Sequence, residues 1–562
     1  MARRRQEEEM GFDGKESRGQ KIVKTVGRFK SERGNSESIW QQIADHVVGR
    51  GDFTTETDTD RVRDYFIYDP TAVNQSQRLA AHLYSILIAG RFFAIESTDP
   101  DLQADDDVRE WMRDTSLRVL TALTAPTSNF SNTFHEAIQE LIDFGTAGVI
   151  TTDVPGKGMR YSSVPLGQLY IGEDAHGKVN TVMRRFKMKN RQVADRWGQG
   201  KGDKDFLARL NEEGRTKPEE DRWIVHSLMP NDGTEDILGS KKPFVGDYVD
   251  EKTKVILETR FFDESPIPVA RWSRIPGIAY GGSCGRNALS AQAVLNEIER
   301  TTLAAGQKAV SPPLLVPNDG TLSQAGINAD PESLIPYTPD ISGQRGPGIQ
   351  YLESAARFDV SDAAMDRRQN AVKEAYYSAM DSVPNGPYFT ATHIGELSRM
   401  AVKYMGPMLE RVQFELIEPI IKRQFSSMLR AGKLRPAPPQ LGGESLKIRY
   451  VSPAMRAQMA EEGDSIRKYR LSVIEMAGVD QGALDALDPI ESLFAEADAL
   501  GLSPGSGGVR SGGDIVAMQQ ARNAASQEQE ESAEALEASQ VVKNMAPAMK
   551  LMEGGQGGMG QA

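Results

Sequence analysis

Two stretches, residues 286–308 and 361–380, carry unbroken helical patterning, while the segment between them, 311–348, is punctuated by proline and glycine and continues neither helix. At ~1.5 Å per residue each helix spans roughly 30–40 Å. This pair limits the fold more than any other feature, because helices of that length take most of their stability from packed flanks. Downstream, the turn-rich "DSVPNGPYFT" leads into a third helical stretch, 393–431, which contains Pro407 and Pro419. Each proline removes a backbone hydrogen bond and is expected to bend that helix.

From Val149 to about Trp272 the texture changes. Stretches such as "GVITTDV", "GKVNTVMRRFKM" and "RWIVHSLMP" alternate apolar and polar residues between turn signals, as antiparallel strands do. One short helix, "NRQVADRWG", interrupts them. Ahead of this block lie further helices. Asp69 is expected as the N-cap of one, with Pro70 at its first helical position. The acidic run Asp105–Asp107 reads as the negatively charged first turn of the helix carrying Trp111, and not as a cation site. "NFSNTFHEAIQELIDFGTAG" supplies another. Residues 1–33 are polar and basic and read as a flexible arm, with order beginning at a helix capped by Asn35 or Ser36. Beyond residue 501 the chain turns Gly/Ser-rich, then Ala/Glu/Gln-rich and helical over 514–550, then Gly-rich. The fold class is α+β.

The entrance to the first long helix poses a question of chemistry. Gly281-Gly282-Ser283-Cys284-Gly285 fits G-x-S-x-G, the strand-to-helix turn that exposes a nucleophilic serine. That reading fails on its surroundings. The residues ahead, "RIPGIAYGG", are broken by Pro276 and Gly277 where a buried strand belongs, and the only later histidine is His393. A second match, from Gly172 to Gly177 and Lys178, satisfies G-x-x-x-x-G-K but is followed by Val179 and not Ser or Thr. Its Glu173 and Asp174 would repel a phosphate, so it reads as a β-turn. No histidine spacing suggests a metal, and no cofactor is expected.

Composition narrows the field further. No run of 18 or more apolar residues exists, so no membrane span is expected. Cys284 is the sole cysteine, which rules out an intrachain disulfide and a cysteine-based zinc site. A net charge of −13 argues against a surface that grips nucleic acid everywhere. It does not exclude a protein that must touch DNA without holding it.

The order of elements and several strings resemble the portal, or head-to-tail connector, proteins of short-tailed, T7-like bacteriophages. The strings are "IYDPTAVNQSQRLAAHL", "NFSNTFHEAIQELIDFGTAGV", "YIGEDAHGKVNTVMRRFKMKNRQVADRWG", "IPGIAYGGSCGRNALSAQAVLNEIERTTLAAGQKAVSPPLLVPNDG" and "YFTATHIGELSRM" with the later "GPMLERVQFELIEPII". Their collinearity from about Ser38 to Met459 carries the resemblance, since no single one is diagnostic. In such proteins Gly281, Gly282 and Gly285 would be turn residues and Ser283 a helix cap.

The resemblance implies a portal fold in a ring. Its parts would be a wing (34–284), two stem helices (285–310 and 351–381), a clip between them (311–350), a tunnel loop (382–391), a long kinked wing helix with its return segment (392–460), a helical crown or barrel (461–550) and a Gly-rich disordered tail (551–562). It implies a homododecamer at one capsid vertex, between capsid and tail in the virion and assembled in the bacterial host cytoplasm. The implied partners are the subunit itself, double-stranded genomic DNA, the terminase large subunit (the packaging ATPase), a tail adaptor, and the major capsid and scaffolding proteins, with no membrane. Candidate DNA-channel residues are Arg286, Arg300, Lys308 and Arg345, with inter-subunit ion pairs to Glu297, Glu299 or Glu353 as the equal alternative. The tunnel loop would present Ser382, Val383, Pro384, Asn385, Gly386, Pro387 and Tyr388. A ring-shaped head–tail adaptor or scaffold without DNA contact is the alternative function; an enzyme is not expected.

Overall fold

A computed structural model describes residues 17–49, 67–88, 90–99, 102, 105–154, 156–199, 204–231, 241–317, 333–337, 350–351, 358–378, 405–441, 446–450, 465–476, 492–493 and scattered positions from 518 to 526. The chain divides into two compact units, 1–451 and 452–562.

The first unit opens with α1, Arg18–Ile43, which passes into a π-helical turn, Ala44–Val48. Ser17 and Gln20 start it with a reciprocal capping box. This corrects the expectation of a flexible arm over 1–33: residues 18–33 are helical, and the helix runs through Asn35 and Ser36 without a new cap. Residues 1–16 lie outside the described residues. The polar composition concealed how α1 is held. Ile22, Val26 and Phe29 recur at helical spacing and bury against Tyr170, Met183, Val225 and Val249. Two of its arginines meet acceptors in the interior. Arg18 pairs with the fully buried Asp247 at 2.6 Å. Arg33, itself buried, donates to the carbonyls of Leu166 at 3.1 Å and Leu169 at 2.9 Å and lies over the Tyr170 ring.

The helices α2 (Thr71–Ile88), α3 (Asp106–Thr124) and α4 (Phe130–Phe144) form where the sequence placed them. The Asp69 carboxylate accepts from Thr71 N–H at 2.7 Å, and that of Asp105 accepts from Asp107 and Val108. The acidic run at 105–107 is therefore a helix start. Between α2 and α3, β1 (Phe93–Ser97) pairs antiparallel with the last strand of the unit, Leu446–Tyr450.

The strand-rich block gives two antiparallel sheets. β2 (Thr146–Val154) lies between β3 (Gly158–Val164) and β9 (Val269–Arg271). The five remaining strands, β4 (Leu169–Glu173), β5 (Val179–Lys189), β6 (Asp221–Pro230), β7 (Phe244–Asp250) and β8 (Ile256–Phe262), form one sheet in chain order. α1 covers one face. The other face is covered by α5 (Asn190–Trp197) and α6 (Lys204–Thr216), where Val193, Trp197, Phe206 and Leu210 pack on Phe186, Ile224 and Tyr248. The Gly172–Lys178 stretch is the β4–β5 turn, in which the Asp174 carboxylate accepts from His176 and Lys178 N–H.

Two long helices follow: α7, Cys284–Val310, and α8, Phe358–Ala375. α7 begins and ends two residues outside 286–308, and α8 begins at Phe358 and ends at Ala375 where 361–380 was expected. The two pack against each other. The segment between them contributes β10 (Leu314–Pro317), paired in parallel with β11 (Leu334–Tyr337) and antiparallel with β12 (Gln350–Tyr351).

The third helical stretch is described from residue 405. Its 405–412 portion enters a π-helical turn, Gln413–Ile417, and continues as α9, Glu418–Arg430, with Pro419 in its first turn. The widened turn accommodates the hydrogen bond that Pro419 cannot donate. The main core joins Leu79 and Leu83 of α2, Phe134, Ile138 and Leu141 of α4, Ala288 of α7, and Ile417, Ile420 and Ile421 of the proline-bearing helix. In the second unit a helix spans 465–476; most of the helix expected over 514–550 lies outside the described residues.

Candidate functional site

The start of α7 answers the question raised by the G-x-S-x-G match. Ser283 is the N-cap: its Oγ accepts from Arg286 N–H at 2.9 Å. The glycines are there because two backbones meet. α4 ends at Gly145, at φ +88°, and the chain ahead of α7 crosses that end. A Cβ on Gly281 would lie 2.3 Å from the Gly145 carbonyl, and one on Gly285 would lie 2.3 Å from the Asp143 carbonyl. Cys284 is buried between them, and burial, then the Asp143 carboxylate, push its thiol pKa far above the ordinary range. Such a thiol stays protonated and unreactive. His393 lies outside the described residues. The motif is a packing junction.

The paired helices are rooted in the first unit by a buried polar cluster that the sequence only half revealed. The Asn296 side-chain carbonyl on α7 accepts from the backbone N–H groups of Tyr68 and Asp69, both at 3.1 Å, and its amide donates to the His46 carbonyl at 3.1 Å. One turn earlier, Gln292 donates to the Asp69 carbonyl at 2.8 Å. From α8, Gln369 donates to the Asp69 carboxylate at 2.8 Å. Asp69 thus caps α2 and collects both long helices at one point. The available signal was Gln292 and Asn296, polar residues four apart on the face that carries Ala288, Ala291 and Leu295.

The proposed channel cations fall on α7 and beyond. Arg286 is exposed in its first turn and Lys308 is half-buried in its last. Arg300 is exposed and pairs with Glu297 of its own helix at 2.5 Å. Arg345 and the tunnel-loop residues 382–388 lie outside the described residues. Beyond the root, the distal half of α7 and the N-terminal half of α8 expose Leu303, Val310, Phe358 and Val360. Among the described residues, no group of His, Cys, Asp and Glu could hold a metal, and no helix is long and apolar enough to cross a membrane.

A model of the family described as "Bacteriophage head to tail connecting protein" matches residues 19–505. The chain belongs to that family. It is 26% identical over 504 residues to the portal protein of Salmonella phage epsilon15, covering 87% of this chain and 88% of that one. It is 24% identical over 511 residues to a probable portal protein of Bordetella phage BPP-1, covering 86% and 87%. A solved assembly described as the neck of an empty GTA particle aligns over 78% of this chain and 91% of its own, at 13% identity and a TM-score of 0.37, too low to carry an argument. Membership carries the function of a connector between phage head and tail; in this chain a mixed helix-and-sheet body anchors a pair of long, mutually packed helices at Asp69.

Proposed function

We propose that this connector is the portal subunit of a homododecameric ring at one capsid vertex, forming the channel through which double-stranded DNA is packaged and ejected. The observation that carries the reading is the α7–α8 pair. It is rooted at Asp69, while its far halves expose apolar and charged side chains that a single chain leaves uncovered. Closing a ring of copies would bury the apolar part.

The physics of a conduit fits the charge. Each phosphate neutralised by a fixed cation adds a release cost to a moving duplex. Twelve copies carry 12 × −13 = −156 formal charges, which favours a largely acidic tunnel with a few guiding rings of Arg286, Arg300, Lys308 and Arg345. The loop 382–388, with Pro384, Asn385, Gly386 and Pro387 favouring a turn, would reach the duplex through Tyr388. Force comes from a separate packaging ATPase, the terminase large subunit. A tail adaptor replaces that motor, and capsid and scaffolding proteins hold the vertex. The subunit itself performs no catalysis and needs no cofactor.

Native mass spectrometry of the purified chain tests the reading. Twelve subunits of 61.7 kDa give about 740 kDa, a closed cyclic species. A protein that stays monomeric both alone and with its capsid and scaffolding partners contradicts it.

A further inference from the structure

The break in the sequence ahead of α7 builds a socket. In Ile275-Pro276-Gly277-Ile278 the Ile278 N–H donates to the Ile275 carbonyl at 3.1 Å, and Gly277 takes φ +82°. Proline at the second position and glycine at the third make this a type II turn. The turn presents Ile275 and Ile278 to an open recess of about 320 Å³, which Ile39 and Trp40 of α1 and Phe144 of α4 also line. Trp40 packs edge-on against Tyr280 at 5.0 Å and stiffens that lining. Ile278 is exposed, and Arg286, also exposed, stands at the rim.

A counterpart lies elsewhere on the same chain. The helix around the second π-helical turn buries Met405, Leu409, Val412 and Leu416 in the main core. Phe414 falls about 200° round the helix from Val412, on the outer face, and is 62% exposed. Tyr450 supports its base, edge-on with ring centroids 6.4 Å apart, and is itself fixed by donating its hydroxyl to the Gln413 carbonyl at 3.2 Å. Glu410, one turn before Phe414, is exposed. Neither Glu410 nor Arg286 has an ion-pair partner among the described residues.

We infer that Phe414 seats in the Ile39–Ile275–Ile278 recess of a second copy of this chain, as a head-to-tail contact separate from the α7 and α8 faces. Phe414 is exposed and the recess is open, so the two do not fill each other within one chain. A pre-ordered aromatic entering an apolar recess is the kind of anchor that dominates protein interfaces. The rims carry opposite charge, Glu410 beside the aromatic and Arg286 beside the recess. A two-fold contact of like surfaces would set Phe414 against Phe414 and Glu410 against Glu410, which wastes both complementarities. Two different, complementary surfaces on identical chains make a heterologous contact, and such contacts close into rings.

This inference rests on the ring proposed above, and its test separates the two. Ring formation by the full-length native chain is read first, by native mass spectrometry. The double variant Ser36→Cys/Glu410→Cys, which keeps Phe414 and the recess isoleucines, is then assembled and treated with a short bis-maleimide. Cys284 is buried and does not react. Denaturing electrophoresis is expected to show a ladder running beyond the dimer for the double variant and monomer for each single variant. Phe414→Ala is expected to raise the concentration for half-assembly at least roughly tenfold, with monomer melting unchanged because the side chain is exposed, and Phe414→Leu is expected to restore assembly. Intact rings of the double variant without a ladder overturn the contact and leave the ring standing. Dimers from Glu410→Cys alone assign the Phe414 surface to a two-fold contact and also overturn it, as does native assembly by Phe414→Ala. A native chain that forms no ring removes the earlier reading and this contact with it.

Discussion

The Arg271 guanidinium, 2% exposed, holds the Glu415 carboxylate at 2.6 Å while the Arg271 backbone N–H donates to the same carboxylate at 2.9 Å. Arg271 ends β9; Glu415 sits in the π-helical turn before α9. Glu173 and the Gly177 carbonyl satisfy the rest of the guanidinium. A widened helical turn, a strand end and a hairpin are thus tied to one buried cation.

Removing one partner of a buried pair leaves an uncompensated charge, at a cost of about 3–5 kcal/mol. Glu415→Ala is expected to cost about 3 kcal/mol, the low end, because Glu173 still faces Arg271. Calorimetric or denaturant melting of the first unit checks this. A loss of only a few tenths would mean that the pair behaves as a surface bridge.

At the α7 entrance the glycines matter more than the serine. Ser283→Ala removes one cap and is expected to cost about 1 kcal/mol. Gly285→Ala drives a Cβ into the Asp143 carbonyl and is expected to cost at least about 2 kcal/mol, or to prevent assembly. Thermal melting and native mass spectrometry read both. The reverse order, with Ser283→Ala the more harmful, would return the serine as a chemical group.

His226 makes stability depend on pH. Burial first, then Arg184, Arg196 and Arg260, push its pKa from 6.5 down to about 3, and it stacks on Tyr248 at 4.1 Å. The fold holds the neutral imidazole. The unfolded chain takes up a proton below pH 6.5, so this contribution is complete above 6.5 and is lost as pH falls towards 3. His226→Phe is expected to flatten the native loss of stability between pH 6 and 4 by up to about 1.4 kcal/mol per pH unit. Parallel pH profiles of the two proteins would contradict the assignment.

Two variants probe the channel. Deleting Pro384–Pro387 is expected to spare ring assembly and reduce packaged or retained DNA in phage, and normal phage yield refutes that role. Arg300→Glu loses an exposed pair with Glu297 and is expected to leave melting unchanged while lowering packaging. Normal packaging with intact rings removes Arg300 from the guiding set.

What the sequence disclosed follows from how local each signal was. Asp69 as a cap, the acidic run at 105–107 as a helix start, the β4–β5 turn and α7 each rest on residues within a few positions of one another and formed where expected, though Asp105 itself proves to be the cap and not part of the first turn. α1 was missed because its anchors are distant: Arg18 finds Asp247, and Arg33 finds the carbonyls at 166 and 169. Counted by composition, both arginines look like solvated charge. α6 was missed because "KDFLARLNEEGRT" buries only Phe206 and Leu210 and carries Gly214. The β1 pairing with 446–450 and the π-helical turns leave no mark at any fixed spacing. At the site, Asp69 was legible as a cap. Its service to Gln292 and Gln369 was not, because that depends on α7 and α8 meeting there.

The most direct test of the central claim is cryo-electron microscopy of the purified assembly, reading symmetry and channel lining together. The account predicts a twelve-fold ring whose channel admits a duplex of roughly 20 Å and is lined by α7 and α8, with Arg286 and Arg300 facing the axis. A ring whose axis is lined by the sheet-bearing part of the first unit, with α7 and α8 at its periphery, would contradict it.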